Sequence, residues 1–150
     1  MFMRSIQSLC LIQSILMKTD LSNATFIIPI RIESDDRLRN VVTSIAFLVE
    51  NFDTNIIVKE VDKESIFQTE VLPIFEEILE VDLWKNFHHI FERSEEPLFH
   101  RQRVLNEMIA ECETDIVVNY DCDVILPMKS YELASLSLIH ISEPTRLASI

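Results

Sequence analysis

Apolar and polar positions along this chain form blocks that predict strands alternating with helices. Residues 25–32 are β-branched and apolar, which is typical of a strand buried on both faces of a parallel sheet. Residues 34–36 then supply an N-cap and an acidic first turn, and apolar residues recur at helical spacing over 38–52. Residues 55–61 predict a second strand. This order of elements indicates an α/β fold.

The second half of the chain continues in the same way. Ser65 and Gln68 predict a capping box for a helix, which Pro73 is expected to kink or delay. Pro97 is expected to open another helix. The other predicted elements are strands over 87–91, 115–120 and 124–126, and a helix from Lys129. We therefore predict a mainly parallel sheet flanked by helices, with its ligands outside the carboxyl ends of the strands.

The two ends of the chain differ from this regular middle. Residues 1–22 form an N-terminal extension, and Met17 is the expected native start. Residues 136–146 look like the conceptual translation of a sequencing adapter, so we expect residues 136–150 to be non-native. The α/β domain is then expected to span residues 23–135 and to stop in mid-fold near Ser135.

Composition narrows the candidate chemistry. With 150 residues, 48% hydrophobic content and a net charge of −12, the chain suits one globular domain and disfavours nucleic acid as a partner. Its three cysteines include no close-spaced pair, which indicates a reducing, cytoplasmic location. No stretch predicts a transmembrane segment. Glycine is absent, where average usage gives about 10. A nucleotide site must therefore use side chains and metal instead of a glycine-rich loop.

Asp121 and Asp123 carry the most specific chemical signal. They follow the apolar run at residues 116–118, where a buried strand meets solvent. Cys122 between them is expected to point the other way, so that both carboxylates converge on one point. The two acids should also raise the pKa of the Cys122 thiol and make it a poor nucleophile. A divalent cation that carries a nucleotide diphosphate is the predicted occupant.

Three stretches of the chain resemble family 2-like glycosyltransferases of the GT-A fold. Residues 25–31 (TFIIPIR), with the helix and strand that follow, are similar to the start of that domain. Residues 99–108 (FHRQRVLNEM) and 116–124 (IVVNYDCDV) resemble the stretch leading into the family's Asp-x-Asp motif, most closely in a bacterial galactosyltransferase-like branch. The resemblance covers about residues 24–135. It implies the donor-binding half of an enzyme that moves a hexose from a UDP-sugar to a glycan or glycolipid hydroxyl with Mn²⁺ or Mg²⁺.

Family positions also imply roles for single residues. Asp123 would be the metal ligand, and Asp121 would contact the ribose or share the metal. The other implied donor contacts are Pro29 and Arg31 beside the nucleoside, Glu60 or Asp62 on uracil or ribose, and Arg101, Arg103 and Asn106 near the diphosphate. The general base would lie beyond Ser135 in the family order, so no catalytic residue is assigned and the chain as given is expected to lack transferase activity.

Two other classes remain open from the sequence. A nucleotidyltransferase shares the α/β order and the paired acids, but the absence of a glycine-rich loop counts against it. A non-catalytic interaction module would carry the same acids as solvated surface residues. Under that hypothesis Arg101 and Arg103 are solvated too, or paired with Glu107 at helical spacing.

Overall fold

The computed structural model describes residues 18–79, 82 and 85–142, with side chains described as far as Ser137. Its centre is a four-stranded sheet in the order β3-β2-β1-β4, and every neighbouring pair is parallel. The strands are β1 (Thr19–Ile30), β2 (Phe52–Asp62), β3 (Phe87–Arg93) and β4 (Ile116–Asn119). The α/β class and the parallel sheet predicted from the sequence are therefore confirmed.

Helices connect the strands and flank the sheet. They are α1 (Asp35–Asn51), a π-helical turn (Phe67–Val71), α2 (Leu72–Ile78), α3 (Arg101–Ala110) and α4 (Met128–Ser142). Ser34 caps α1 by accepting a hydrogen bond from the Arg37 amide, as its position predicts. Ser65 accepts from the Gln68 amide in the same way. Pro73 then lies in the first turn of α2, so the α-helix starts later than the cap.

Hydrophobic side chains fill both faces of the sheet. On one face, Phe26 and Ile28 of β1 pack with buried residues of α1, of the π-helical turn and of α2. On the other face, Ile27 packs with Ile57 and with the buried side of α3. The side chains that α3 buries there are Val104, Leu105 and Met108. β1 is thus covered on both sides, which explains why its sequence is a continuous apolar run.

The starts of β1 and α3 differ from the sequence prediction. β1 begins at Thr19, six residues before the predicted start at Thr25, because residues 19–21 pair with residues 52–54 of β2 ahead of a register shift between Leu21 and Thr25. The strand therefore includes residues 19–22, which the sequence assigned to an extension. α3 begins at Arg101 and not at Pro97, since the carbonyl oxygens of Glu96 and Pro97 accept hydrogen bonds from Arg31 instead of starting a helix.

The predicted short strand at residues 124–126 is wrong. This segment forms a loop whose backbone is held by two tyrosine hydroxyls. Tyr120 donates to the Val124 carbonyl at 2.6 Å, and the Leu126 amide donates to Tyr131 at 3.0 Å. The two hydroxyls also contact each other at 2.8 Å. Since these groups are satisfied by side chains, no partner strand is needed.

The described residues include only part of the two chain ends. α4 extends past Ser135 to Ser142, into the segment that the sequence sets apart as adapter-like. Residues 1–17, with the expected native start at Met17, and residues 143–150 lie outside the described residues. Within the described part of the chain, no helix combines the length and apolarity needed to cross a membrane.

Candidate functional site

A mixed-charge cleft lies at the carboxyl edge of the sheet, between the ends of β1 and β4. Its volume is about 320 Å³, and we call it the switch-point cleft because strand order reverses there. β2 and β3 extend from β1 on one side, whereas β4 lies on the other. Open α/β sheets bind ligands at such reversals. The lining residues are Pro29, Arg31, Glu33, Arg37, Phe99, Arg101, Asp121, Cys122 and Asp123.

The acidic pair has the alternation that the sequence predicts. Cys122 is buried at 5% exposure and belongs to the main core, whereas the side chains of Asp121 and Asp123 are 61% and 53% exposed. Both carboxylates line the switch-point cleft. Burial raises the pKa of the Cys122 thiol, and Asp123 adds to this while Arg37 opposes it. The thiol is therefore protonated and packed, which suits a structural role.

Each carboxylate of the pair has its own arginine. Arg101, at the first position of α3, donates from Nη2 to both Asn119 Oδ1 and Asp121 Oδ1. Arg37, in the first turn of α1, places Nη1 4.0 Å from Asp123 Oδ2 and 3.7 Å from the Cys122 sulfur. The acidic pair is thus matched by two cations within the cleft, although the whole chain is strongly acidic.

Arg31 lines the same cleft but is committed to the backbone. It is buried at 9% exposure, and its guanidinium donates to three carbonyl oxygens. Nε contacts Val61 at 2.9 Å, Nη1 contacts Pro97 at 3.0 Å, and Nη2 contacts Glu96 at 3.1 Å. The Phe99 ring lies 5.6 Å from the guanidinium carbon. Arg31 therefore ties β1 and β2 to the segment that leads into α3.

A second cleft of about 530 Å³ adjoins the first and shares Arg31 and Glu33 with it. Asp62, at the end of β2, lies here, next to Lys63 and close to the exposed Glu64. Asp62 accepts a hydrogen bond from the Lys63 amide at 2.7 Å. We call this region the acidic cleft. Its carboxylates are hydrogen-bond acceptors, which suits a neutral ligand portion rich in donors.

Glu60 lies outside both clefts, which corrects its assignment as a contact for uracil or ribose. The residue is fully buried beneath the π-helical turn. Ser65 Oγ donates to its Oε2 at 2.5 Å, the Phe67 amide donates to Oε1 at 3.0 Å, and His89 Nε2 lies 3.3 Å from Oε2 without hydrogen-bond alignment. Burial favours the neutral carboxyl, but the nearby imidazole and the two donors outweigh it and hold the pKa of Glu60 below its usual value.

Arg103 and Asn106 also lie away from the clefts. Arg103 forms a two-pronged pair with Glu92 of β3 and a second pair with Glu107, which is the helical pairing that the sequence left open. Lys59 bridges the same two glutamates and closes a network that fastens α3 to the sheet. Asn106 accepts a hydrogen bond from Gln102 on the surface of α3. Of the two arginines that the resemblance places near the diphosphate, Arg101 lines the switch-point cleft and Arg103 does not.

Asp121 and Asp123 are the residues that would hold a divalent cation such as Mn²⁺ or Mg²⁺. Asp121 and Asp123 offer the hard oxygen ligands that these ions prefer, and both carboxylates are accessible from the cleft. Among residues 18–79, 82 and 85–142, no group of three or more His, Cys, Asp or Glu side chains is arranged to hold a metal. The remaining ligands would therefore have to be oxygens of a bound phosphate or water, which is usual for Mg²⁺.

Sequence reasoning missed three residues of the switch-point cleft, namely Glu33, Arg37 and Phe99. The position of Arg37 could have been predicted, because it lies three residues after the N-cap Ser34. The first turn of α1 follows directly from the carboxyl end of β1. No comparable signal marks Phe99. Its place depends on the path of the loop that Arg31 fixes.

Fold and site together define an α/β protein with a parallel sheet and a mixed-charge cleft at the strand-order reversal. Comparison with known proteins adds no family to this description. A scan against protein-family models and a search of curated proteins each gave no match to the chain.

Proposed function

We propose that this chain is the nucleotide-sugar-binding half of a GT-A type glycosyltransferase, with a UDP-sugar as donor. Asp123 and Asp121 hold Mn²⁺ or Mg²⁺ in the switch-point cleft, and Arg37 and Arg101 face the diphosphate. The acceptor is a glycan or glycolipid hydroxyl. The two described cysteines are free thiols, which fits a cytoplasmic location.

A single observation carries this proposal. Two carboxylates and two arginines from three separate segments of the chain meet in one cleft at the strand-order reversal. A metal diphosphate needs oxygen ligands for the cation and positive donors for the phosphates, and this cleft supplies both. The adjoining acidic cleft adds acceptors for the imide and hydroxyl groups of a nucleoside.

The direct test is calorimetric titration of the chain with UDP, with and without Mn²⁺. We expect Mn²⁺ to strengthen UDP binding and Asp123→Asn to remove that gain. Substitution of a residue that only supports a metal ligand lowers metal affinity about 10- to 100-fold. Because Asp123 would itself be a ligand, Asp123→Asn should lower the affinity at least as much. Asp53→Asn is the matched control, since Asp53 is exposed at the opposite end of β2.

Three outcomes separate the hypotheses. Mn²⁺-dependent UDP binding that Asp123→Asn abolishes supports the proposal. UDP binding that is independent of Mn²⁺ and indifferent to Asp123→Asn contradicts it. Absence of UDP binding under both conditions contradicts it as well, and favours the interaction module with solvated acids.

A further inference from the structure

We propose that Arg101 and Arg37 exchange partners on binding, so that each guanidinium leaves its carboxylate for the diphosphate as a divalent cation takes Asp121 and Asp123. Cation and diphosphate binding are then coupled through two ion pairs built into the cleft. The inference rests on the proposed function, which it deepens by assigning both arginines a dual role.

A cation and the two arginines compete for the same carboxylate oxygens of Asp121 and Asp123. Arg101 donates to Asp121 Oδ1, and Arg37 lies 4.0 Å from Asp123 Oδ2. A cation that binds these carboxylates must share or displace the guanidinium groups. An arginine left beside a metal-bound carboxylate also meets the positive charge of the metal. Like charges repel, so the guanidinium gains by moving to a phosphate oxygen.

Both ion pairs of the switch-point cleft are exposed enough to exchange partners easily. Side chains of both pairs are about half exposed, at 43% and 61% for Arg101 and Asp121, and 45% and 53% for Arg37 and Asp123. Exposed ion pairs are weak, because water already solvates both partners. Breaking either pair therefore opposes cation binding only slightly. Both arginines can swing to a new partner within the cleft.

The contrast with Arg31 and Arg103 shows that exchange is specific to two arginines. Arg31 is buried and donates to three carbonyl oxygens, so it stays in place. Arg103 is held by both oxygens of Glu92 and by Glu107. Only Arg37 and Arg101, of the arginines in the described part of the chain, pair with the acids of the switch-point cleft.

Exchange predicts opposite effects from one substitution. Arg101→Gln removes the guanidinium that competes with the cation for Asp121. Mn²⁺ alone should therefore bind about two- to fivefold more tightly, which corresponds to the free energy of an exposed ion pair. UDP in the presence of Mn²⁺ should bind about tenfold more weakly, because a charge-assisted contact to phosphate is lost. By thermodynamic linkage, Mn²⁺ raises the affinity for UDP by the same factor by which UDP raises the affinity for Mn²⁺. This coupling factor should be smaller in Arg101→Gln than in the wild type.

The experiment measures free Mn²⁺ by electron paramagnetic resonance and UDP binding by calorimetry on the same preparations. Arg103→Gln is the matched control, with the same substitution on the same helix outside the cleft. It should change both affinities less than twofold. Circular dichroism and thermal unfolding check that each variant is folded.

The outcomes distinguish this inference from the proposed function. Tighter Mn²⁺ and weaker UDP binding in Arg101→Gln support partner exchange. Weakening of both ligands in Arg101→Gln overturns it, because Arg101 then only positions the site, while the metal-nucleotide function stands. If the wild-type chain binds no Mn²⁺ either alone or with UDP, the proposed function fails, and the exchange fails with it.

Discussion

Glu60→Gln should lower the free energy of unfolding by about 1.5–3 kcal/mol, the usual worth of one buried hydrogen bond to a charged group. The carboxylate is fully buried and accepts from Ser65 and from the Phe67 amide, with His89 3.3 Å away. Glutamine has nearly the same shape, but its amide nitrogen must replace one of the two acceptors and the negative charge is lost. Urea denaturation at neutral pH measures the difference.

The pH dependence gives a second readout of the same substitution. Because the folded-state pKa of Glu60 lies below its ordinary value of 4.5, its stabilising contribution is complete above that pH. It is lost as pH falls from about 4.5 through the folded-state pKa. Glu60→Gln should therefore flatten part of the acid limb of the stability curve.

Glu64→Gln is the control for both measurements. It makes the same change four residues later at an exposed position, where substitutions usually stay within about 0.5 kcal/mol. A Glu60→Gln variant that keeps wild-type stability but loses UDP affinity would show that Glu60 contacts the ligand after all.

Arg31→Lys should cost about 3 kcal/mol of unfolding free energy, since hydrogen bonds from a charged group are each worth about 1.5–3 kcal/mol and several are lost. The guanidinium reaches the carbonyls of Val61, Glu96 and Pro97 at once, in three directions. A lysine ammonium is a compact point charge and cannot span them. Thermal and urea unfolding of the variant measure the loss.

Arg37→Lys is the matched control for Arg31, because it makes the same substitution at an exposed position of the same cleft. Its stability should change by no more than about 0.5 kcal/mol. Equal stability of Arg31→Lys and wild type would contradict the structural role of the buried guanidinium and restore the nucleoside contact that the sequence implied.

Periodicity predicted the elements that bury large apolar faces. β1 and α1 appear in the sequence because their apolar residues recur at the spacing of a buried strand and an amphipathic helix. The same signal predicts a short strand at residues 124–126, which is wrong. The hydroxyls of Tyr120 and Tyr131 bind the backbone of this segment, and neither tyrosine belongs to its apolar pattern. Local periodicity carries no information about such contacts.

The candidate site was predictable in its acids and only partly in its cations. The alternating exposure predicted for Asp121, Cys122 and Asp123 is observed, although β4 ends at Asn119 and these residues lie just beyond it. Arg101 and Arg103 are two positions apart on one helix and so point roughly 200° apart, which decides that only one enters the cleft. The sequence shows this separation but not which direction faces the sheet edge.

Glu60 and Asp62 show the limit more sharply. Side chains two residues apart on a strand share a face, so the sequence treats them as equivalent. The difference arises because the π-helical turn (Phe67–Val71) closes over Glu60 and leaves Asp62 at the open edge. That closure depends on tertiary packing of Phe67 against His89 and Phe75, which no short pattern specifies.

Paramagnetic broadening of backbone amide signals by Mn²⁺, in the presence of UDP, locates the metal directly. If the switch-point cleft holds a metal nucleotide, the strongest broadening falls on residues 29–37, 99–101 and 119–124, which surround it. Asp123→Asn should remove this broadening. Broadening centred instead on Glu92 and Glu107, or on the acids Asp20 and Asp53 at the amino edge of the sheet, would place the metal elsewhere and contradict a nucleotide-sugar site at the strand-order reversal.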